Sequence, residues 1–255
     1  MSQVLYNRYM GLAVPGLIAD AEFTTKDGLQ AFEPIGLGLA VIQRIGYPNN
    51  GRLPKANKAT IVFAGDLITA NVVNLKVNGV AMAPVTFITD NATTLAAIVT
   101  AIKLLAPVAN ATTDGVHTIV VYSKDGLDCV VTDILVTLGA TQTTGASTST
   151  STDVIYGVSI MSQAIEQVRF TGLVAYTAGA PVGCLIRGRI WVNSETAVVN
   201  GDPVYMRIAG DNVTKFAGAF RNDADSGTAI LVPGMIFRSV AAAPGLAVVD
   251  INEPR

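Results

Sequence analysis

Short apolar runs broken by turn residues set the texture of this chain. Residues 35–42, Ile35-Gly36-Leu37-Gly38-Leu39-Ala40-Val41-Ile42, lie between Pro34 and the turn cluster Gly46-Tyr47-Pro48-Asn49-Asn50-Gly51. Such a run reads as a strand, and glycine inside it marks a bulge or a close backbone approach. Residues 1–20 mix apolar and turn-forming side chains and read as an irregular or extended arm. From Lys58 the pattern changes. Residues 59–64 and 72–77 read as strands, and the second ends at Asn78-Gly79, a strong signal for a two-residue hairpin. Residues 80–88 then read as the partner strand. In residues 92–105, Leu95, Ile98, Ile102 and Leu105 recur at spacings of three, four and three, which puts them on one face of a helix. Asp90 or Asn91 caps its start and Pro107 follows its end. Two further strands, 117–122 and 129–138, complete a small α+β pattern.

Residues 141–152 are almost entirely Thr, Ser, Gln, Gly and Ala. A polar tract of this kind buries too little apolar surface to offset its chain entropy, so it reads as a linker. Beyond Val154 short strands follow one another, with turn signals about every ten residues: Gly179-Ala180-Pro181, Asn200-Gly201-Asp202, Gly210-Asp211-Asn212, Asp225-Ser226-Gly227 and Pro244-Gly245. Even spacing predicts a sandwich or barrel. The N-terminal segment has the same texture. The expected fold is therefore mainly β: a discontinuous β-barrel or sandwich core from residues 1–56 plus 153–255, an inserted small α+β domain over 58–140, and a Ser/Thr-rich linker over 141–152.

Composition sharpens the picture. Half of the 255 residues are hydrophobic and only 14% are charged, against about 25% in an average soluble domain. The apolar content excludes disorder as the state of the whole chain. With 17 basic and 19 acidic residues, no excess positive charge exists to displace counterions from phosphates, so nucleic acid is not an expected partner. No apolar run reaches the length of a membrane span, and the first residues make a poor signal peptide. So little charge implies that other subunits cover much of the surface, and a homodimer or homotrimer is expected.

Catalytic chemistry finds little to use. His117 is the single histidine, with no nucleophile or second ligand near it in sequence. Cys129 and Cys184 share no metal-like spacing and read as buried thiols. The loop containing Asn222, Asp223, Asp225 and Ser226 offers oxygen atoms but lacks the spaced acidic residues of a calcium loop, so it reads as a solvated turn. Gly36-Leu37-Gly38 lacks the Lys-Ser/Thr ending of a phosphate loop and leads into no helix. Neither a cofactor nor a metal is expected, and the chain does not read as an enzyme. Arg187, Arg189 and Trp191 alternate along one predicted strand, which reads either as a contact surface or as a half-exposed strand with an aromatic at its rim.

The ordered set Gly188-Arg189-Ile190-Trp191-Val192, Val198-Val199-Asn200-Gly201-Asp202-Pro203-Val204-Tyr205, Ile230-Leu231-Val232-Pro233-Gly234-Met235-Ile236-Phe237 and Leu246-Ala247-Val248-Val249-Asp250-Ile251-Asn252 resembles the structural cement, or capsid decoration, proteins of tailed phages. Residues 11–20 and 34–41 look like the start of that family. The resemblance spans roughly residues 8–45 and 157–252 and sets 58–150 outside the family core. It implies a non-enzymatic virion protein on the outer surface of the capsid. Its partners would be the major capsid protein and further copies of itself, and it would hold the shell against internal pressure. The alternatives are another particle component, such as a tail or baseplate protein, or a carbohydrate-binding surface module.

Overall fold

Strand pairing accounts for most of the backbone in the computed structural model, which describes residues 14–138, 143–161, 168–170, 173–210 and 214–252. The chain divides into two compact units. Unit 1 is residues 1–54 with 153–255, and unit 2 is residues 55–152. Unit 1 begins with β1 (Ile18–Ala31), β2 (Ile35–Gly36), β3 (Ala40–Arg44) and β4 (Tyr47–Arg52). Unit 2 holds β5 (Lys58–Phe63), β6 (Val72–Val77), β7 (Val80–Ala81), β8 (Val85–Thr86), α1 (Asn91–Lys103), β9 (Val108–Thr113), β10 (Thr118–Ser123), β11 (Val131–Thr137) and β12 (Gly145–Thr150). Unit 1 resumes with β13 (Ile155–Ser159), β14 (Val168–Phe170), β15 (Leu173–Tyr176), β16 (Pro181–Ser194), β17 (Pro203–Arg207), β18 (Phe220–Arg221), β19 (Ala229–Phe237) and β20 (Gly245–Ile251).

In unit 1 the long strand β16 organises the largest sheet, whose order among the described residues is β1-β4-β3-β13-β16-β18-β17-β19-β20. The first half of β16 runs antiparallel to β1, with Gly183 opposite Gly28 and Leu185 opposite Lys26. Its second half pairs with β20 from Gly188↔Ile251 to Ser194↔Gly245. It also serves two cores: Val182 and Cys184 belong to one apolar cluster, and Leu185, Ile190 and Val192 to another with Phe220, Phe237 and Val249. The fold is mainly β, as expected; the sheets are not closed into a barrel, although β1 and β20, at the two ends of the order, each return to pair with β16. Several links are only one or two residue pairs long, as in β16–β18 and β1–β4, and such links make no continuous ladder.

β1 departs from the reading of residues 1–20 as an arm. Residues 1–13 lie outside the described residues, whereas Ile18–Ala31 is a fourteen-residue strand. Between residues 24 and 31 only Leu29 and Ala31 are buried. The strand is held by its ladder to β16 rather than by an apolar face, so the hydrophobic pattern carries little sign of it. The run 35–42 is broken at residues 37–39. A Cβ on Gly38 would lie 2.8 Å from the Gly16 backbone nitrogen, so close backbone approach explains that glycine.

Unit 2 has two four-stranded sheets among its described residues, β12-β5-β10-β9 and β11-β6-β7 with β8 also on β6. Asn78 and Gly79 both have positive φ and turn β6 into β7 with Val77 opposite Val80. The expected strand over 80–88 is two short pieces instead, because Pro84 has no N–H to continue a ladder. Helix α1 starts where the capping signal puts it: Asp90 accepts a hydrogen bond from the Thr93 N–H at 2.7 Å. Leu95, Ile98 and Ile102 are fully buried in the unit 2 core. The cap contributes about 1 kcal/mol and each buried side chain about 1.5–3 kcal/mol, so packing outweighs the cap in holding this helix.

The linker expected over 141–152 is corrected. Gly145–Thr150 forms β12, paired with β5 along its whole length. The hydroxyls of Ser147 and Ser149 donate to the carbonyls of Val131 (2.9 Å) and Cys129 (3.0 Å). A polar tract can therefore complete a sheet when backbone and hydroxyl groups both find partners.

Candidate functional site

Unit 1 carries the chemistry that sets it apart. Along β16, Arg187 and Arg189 are exposed and Trp191 is partly exposed, while Ile190 and Val192 are buried. The three residues named from the sequence thus form one stripe. Arg189 reaches the Asp250 carboxylate at 3.5 Å, and Arg238 holds the same carboxylate at 2.9 Å. Trp191 is fixed by its backbone, which donates to Leu17 and accepts from Gly16.

Beside this stripe lies a groove of about 700 Å³ whose walls include Pro15, Leu37, Leu39, Phe216 and Leu246. Glu195 at its rim belongs to a charge network. The Arg207 guanidinium, 1% exposed, donates to both Glu195 oxygens at 2.6–2.8 Å and to Asp225 at 2.6 Å. Arg221 bonds Asp225 and Asp223 at 2.6 Å each and Glu195 at 3.2 Å. The hydrogen bond from Arg207, helped by the Arg221 charge, pushes the Asp225 carboxyl down to about 2. The acidic loop read from the sequence as a solvated turn is exposed at Asp223, Ala224, Ser226 and Gly227, and it is ion-paired as well. Guanidinium donors take up Asp223 Oδ1 and Asp225 Oδ2. Among the described residues no three His, Cys, Asp or Glu side chains gather as metal ligands.

A third feature lies at the β3–β4 turn. The Arg44 guanidinium sits over the Phe32 ring at 3.7 Å and the Tyr47 ring at 4.5 Å. Phe32, Ile45 and Tyr47 are 46%, 73% and 55% exposed. Sequence reasoning passed over this cluster because the segment was classed as a turn. The available signal was the pair of bulky apolar residues, Ile45 and Tyr47, flanking Gly46 where turns are ordinarily polar.

Three candidates from the sequence remain, His117 and the two cysteines. His117 and Asp66 form an exposed pair in unit 2, 2.9 Å apart. Both cysteines are free and buried. Burial pushes the Cys129 thiol up to about 11 and the Cys184 thiol up to about 12, so neither is poised as a nucleophile.

Residues 96–252 match the family described as structural cement protein (E217 gp24/Pam3 gp6). That span is more than half of the chain, and the chain belongs to this family of phage structural proteins. The protein is accordingly a non-enzymatic structural component. The match begins at Ala96, inside α1, so the second half of unit 2 lies within it. The expectation that residues 58–150 lie outside the family core is corrected for 96–150. No curated protein matches the chain. A chain of the solved structure "The capsid of Myoviridae Phage XM1" superposes with a TM-score of 0.46 at 12% identity, covering 95% of this chain and 91% of that chain.

Proposed function

We propose that this protein decorates the outer surface of the assembled major capsid protein lattice of a tailed phage and cements it. The observation that carries this reading is the family match over residues 96–252. A protein that binds the assembled shell and not its loose subunits stabilises the shell by mass action. Many equivalent sites make a modest contact effective when several engage together. Unit 1 is the gripping domain in this reading, with Arg187, Arg189 and Trp191 available as contacts, and the protein works as a dimer or trimer. Unit 2 is an inserted module that projects away from the shell.

Two closures support the division of labour. Within unit 1, Arg52 and Asp153 join the points where the chain departs and returns, at 2.7 and 2.8 Å. Within unit 2, the Asn57 side chain accepts hydrogen bonds from the Thr152 N–H (2.9 Å) and hydroxyl (3.2 Å). Each unit therefore ties its own ends, which is what an insertion tolerant of removal requires.

The test is decoration in vitro. Purified protein is added to shells stripped of it, and their heat resistance is measured with and without the addition. Bound protein should raise the temperature at which shells rupture. A variant with residues 55–152 replaced by a short Gly/Ser linker should fold and still bind. If the intact protein leaves shells unaltered, the cement reading falls. If only the shortened variant fails to bind while remaining folded, the gripping element lies in unit 2.

A further inference from the structure

We infer that the apolar groove on unit 1 receives the N-terminal segment, residues 1–13, of a neighbouring copy, so that copies are joined by exchanged segments. The inference rests on the reading that the protein works as a dimer or trimer and names the contact that joins the copies.

Groove and segment meet at one point of the chain. Val14 and Pro15 belong to the groove wall, and residue 13 is bonded directly to Val14. That point is held by the backbone. The Leu17 N–H donates to the Val14 carbonyl at 3.1 Å, and the Gly16 N–H to the Trp191 carbonyl at 2.8 Å. Gly16 has a φ of +79°, and a Cβ there would lie 3.0 Å from the Ser159 carbonyl oxygen. The turn that presents the segment is therefore fixed, and only glycine fits it.

Their chemistry matches. The groove is walled by apolar side chains such as Leu37, Leu39, Phe216 and Leu246. Glu195 at its rim is already held by Arg207 and Arg221, so the groove suits an apolar occupant with little charge. Residues 1–13 supply Val4, Leu5, Tyr6, Tyr9, Met10 and Leu12, with no acidic side chain and a single basic one, Arg8.

Reach and direction favour a neighbour's groove. Thirteen residues span up to about 45 Å when extended, about three times the radius of gyration of about 15 Å expected for a unit of this size. Pro15 restricts Val14 before it to extended backbone, which favours a course away from the wall over a return across it. Every copy carries both parts, and exchange of an identical element is a low-cost route to oligomers.

The experiment is sedimentation velocity on the full chain, with a synthetic peptide of residues 1–13 as competitor. The wild-type protein should sediment as a dimer or trimer, and excess peptide should dissociate it. Leu5→Asp with Tyr6→Asp, and separately Leu246→Asp, should weaken self-association by about tenfold to a hundredfold. The segment variant is unaltered from Val14 onward, so the test stands even if Leu246→Asp misfolds. Tyr6→Cys with Leu246→Cys in one chain should oxidise to linked copies, since both native thiols are buried. Self-association indifferent to peptide and segment changes overturns the inference. So does an internal disulfide in a monomer, which would seat the segment in its own groove. Segment variants that stay oligomeric but lose shell binding overturn it in favour of the shell. A monomeric wild-type protein removes both the inference and the oligomer, and leaves shell decoration to its own test.

Discussion

Arg52 and Asp153, separated by a hundred and one positions in the chain, form a bidentate ion pair in the interior of unit 1. Arg52 is fully buried and the Asp153 side chain is 3% exposed. The Arg52 guanidinium donates to both carboxylate oxygens and to the Leu53 carbonyl. Burial makes the pair asymmetric in its effects, because a buried charge that loses its bidentate partner is poorly compensated.

Breaking this pair should therefore be costly. Arg52→Met or Asp153→Asn alone should destabilise unit 1 by about 3–5 kcal/mol, read from urea denaturation. The double change Arg52→Met with Asp153→Leu should recover most of that loss, since it removes both charges. Single variants as stable as wild type would show that the pair does not close the unit.

Acid should weaken unit 1 through Asp225. Its carboxyl is held at about 2 by Arg207 and Arg221, below the ordinary value of about 3.9 for an unfolded aspartate. A depressed folded value means that its stabilisation is present above about pH 4 and is lost as pH falls toward 2. Asp225→Asn should lower the melting temperature at pH 7, and the gap to wild type should close between about pH 4 and pH 2. Melting curves across that range check the sign. In unit 2, Asp114 accepts backbone N–H bonds from Thr118 and Val116 and is likewise held at about 2, so Asp114→Asn should show the same convergence.

The two thiols should be silent in the folded protein. With burial raising Cys129 to about 11 and Cys184 to about 12, a thiol reagent at pH 8 should label neither within the time that labels both in guanidinium. Rapid labelling of native protein would place a cysteine at the surface.

His117→Ala should change little. Its pair with Asp66 is exposed at both ends, and such pairs contribute about 0–1 kcal/mol. The variant should fold and enter particles as wild type does. Loss of incorporation with folding intact would assign His117 a contact role.

What the amino-acid sequence determined by itself is local. The Asp90 cap and the spacing of Leu95, Ile98 and Ile102 place α1, because a helix writes its buried face at a period of 3.6. Asn78-Gly79 places a hairpin, because a tight turn demands positive φ. The motif set from Gly188 to Asn252 carried the family. The tertiary structure decided what depends on partners distant in sequence. Among the described side chains of β1 only Leu29 and Ala31 are buried, and the strand exists because β16 offers it a ladder. The Ser/Thr tract becomes β12 because the Val131 and Cys129 carbonyls receive its hydroxyls. The acidic loop is ion-paired because folding brings Arg207 and Arg221 to Asp225 and Glu195. Phe32 meets Arg44 only because β1 pairs with β4. Hydrophobic period reports which face of an element is buried, and says nothing of which polar group meets which. Those pairings are set by the three-dimensional path of the chain, because a charge or hydroxyl is stable in the interior only where a partner of the right chemistry is delivered to it.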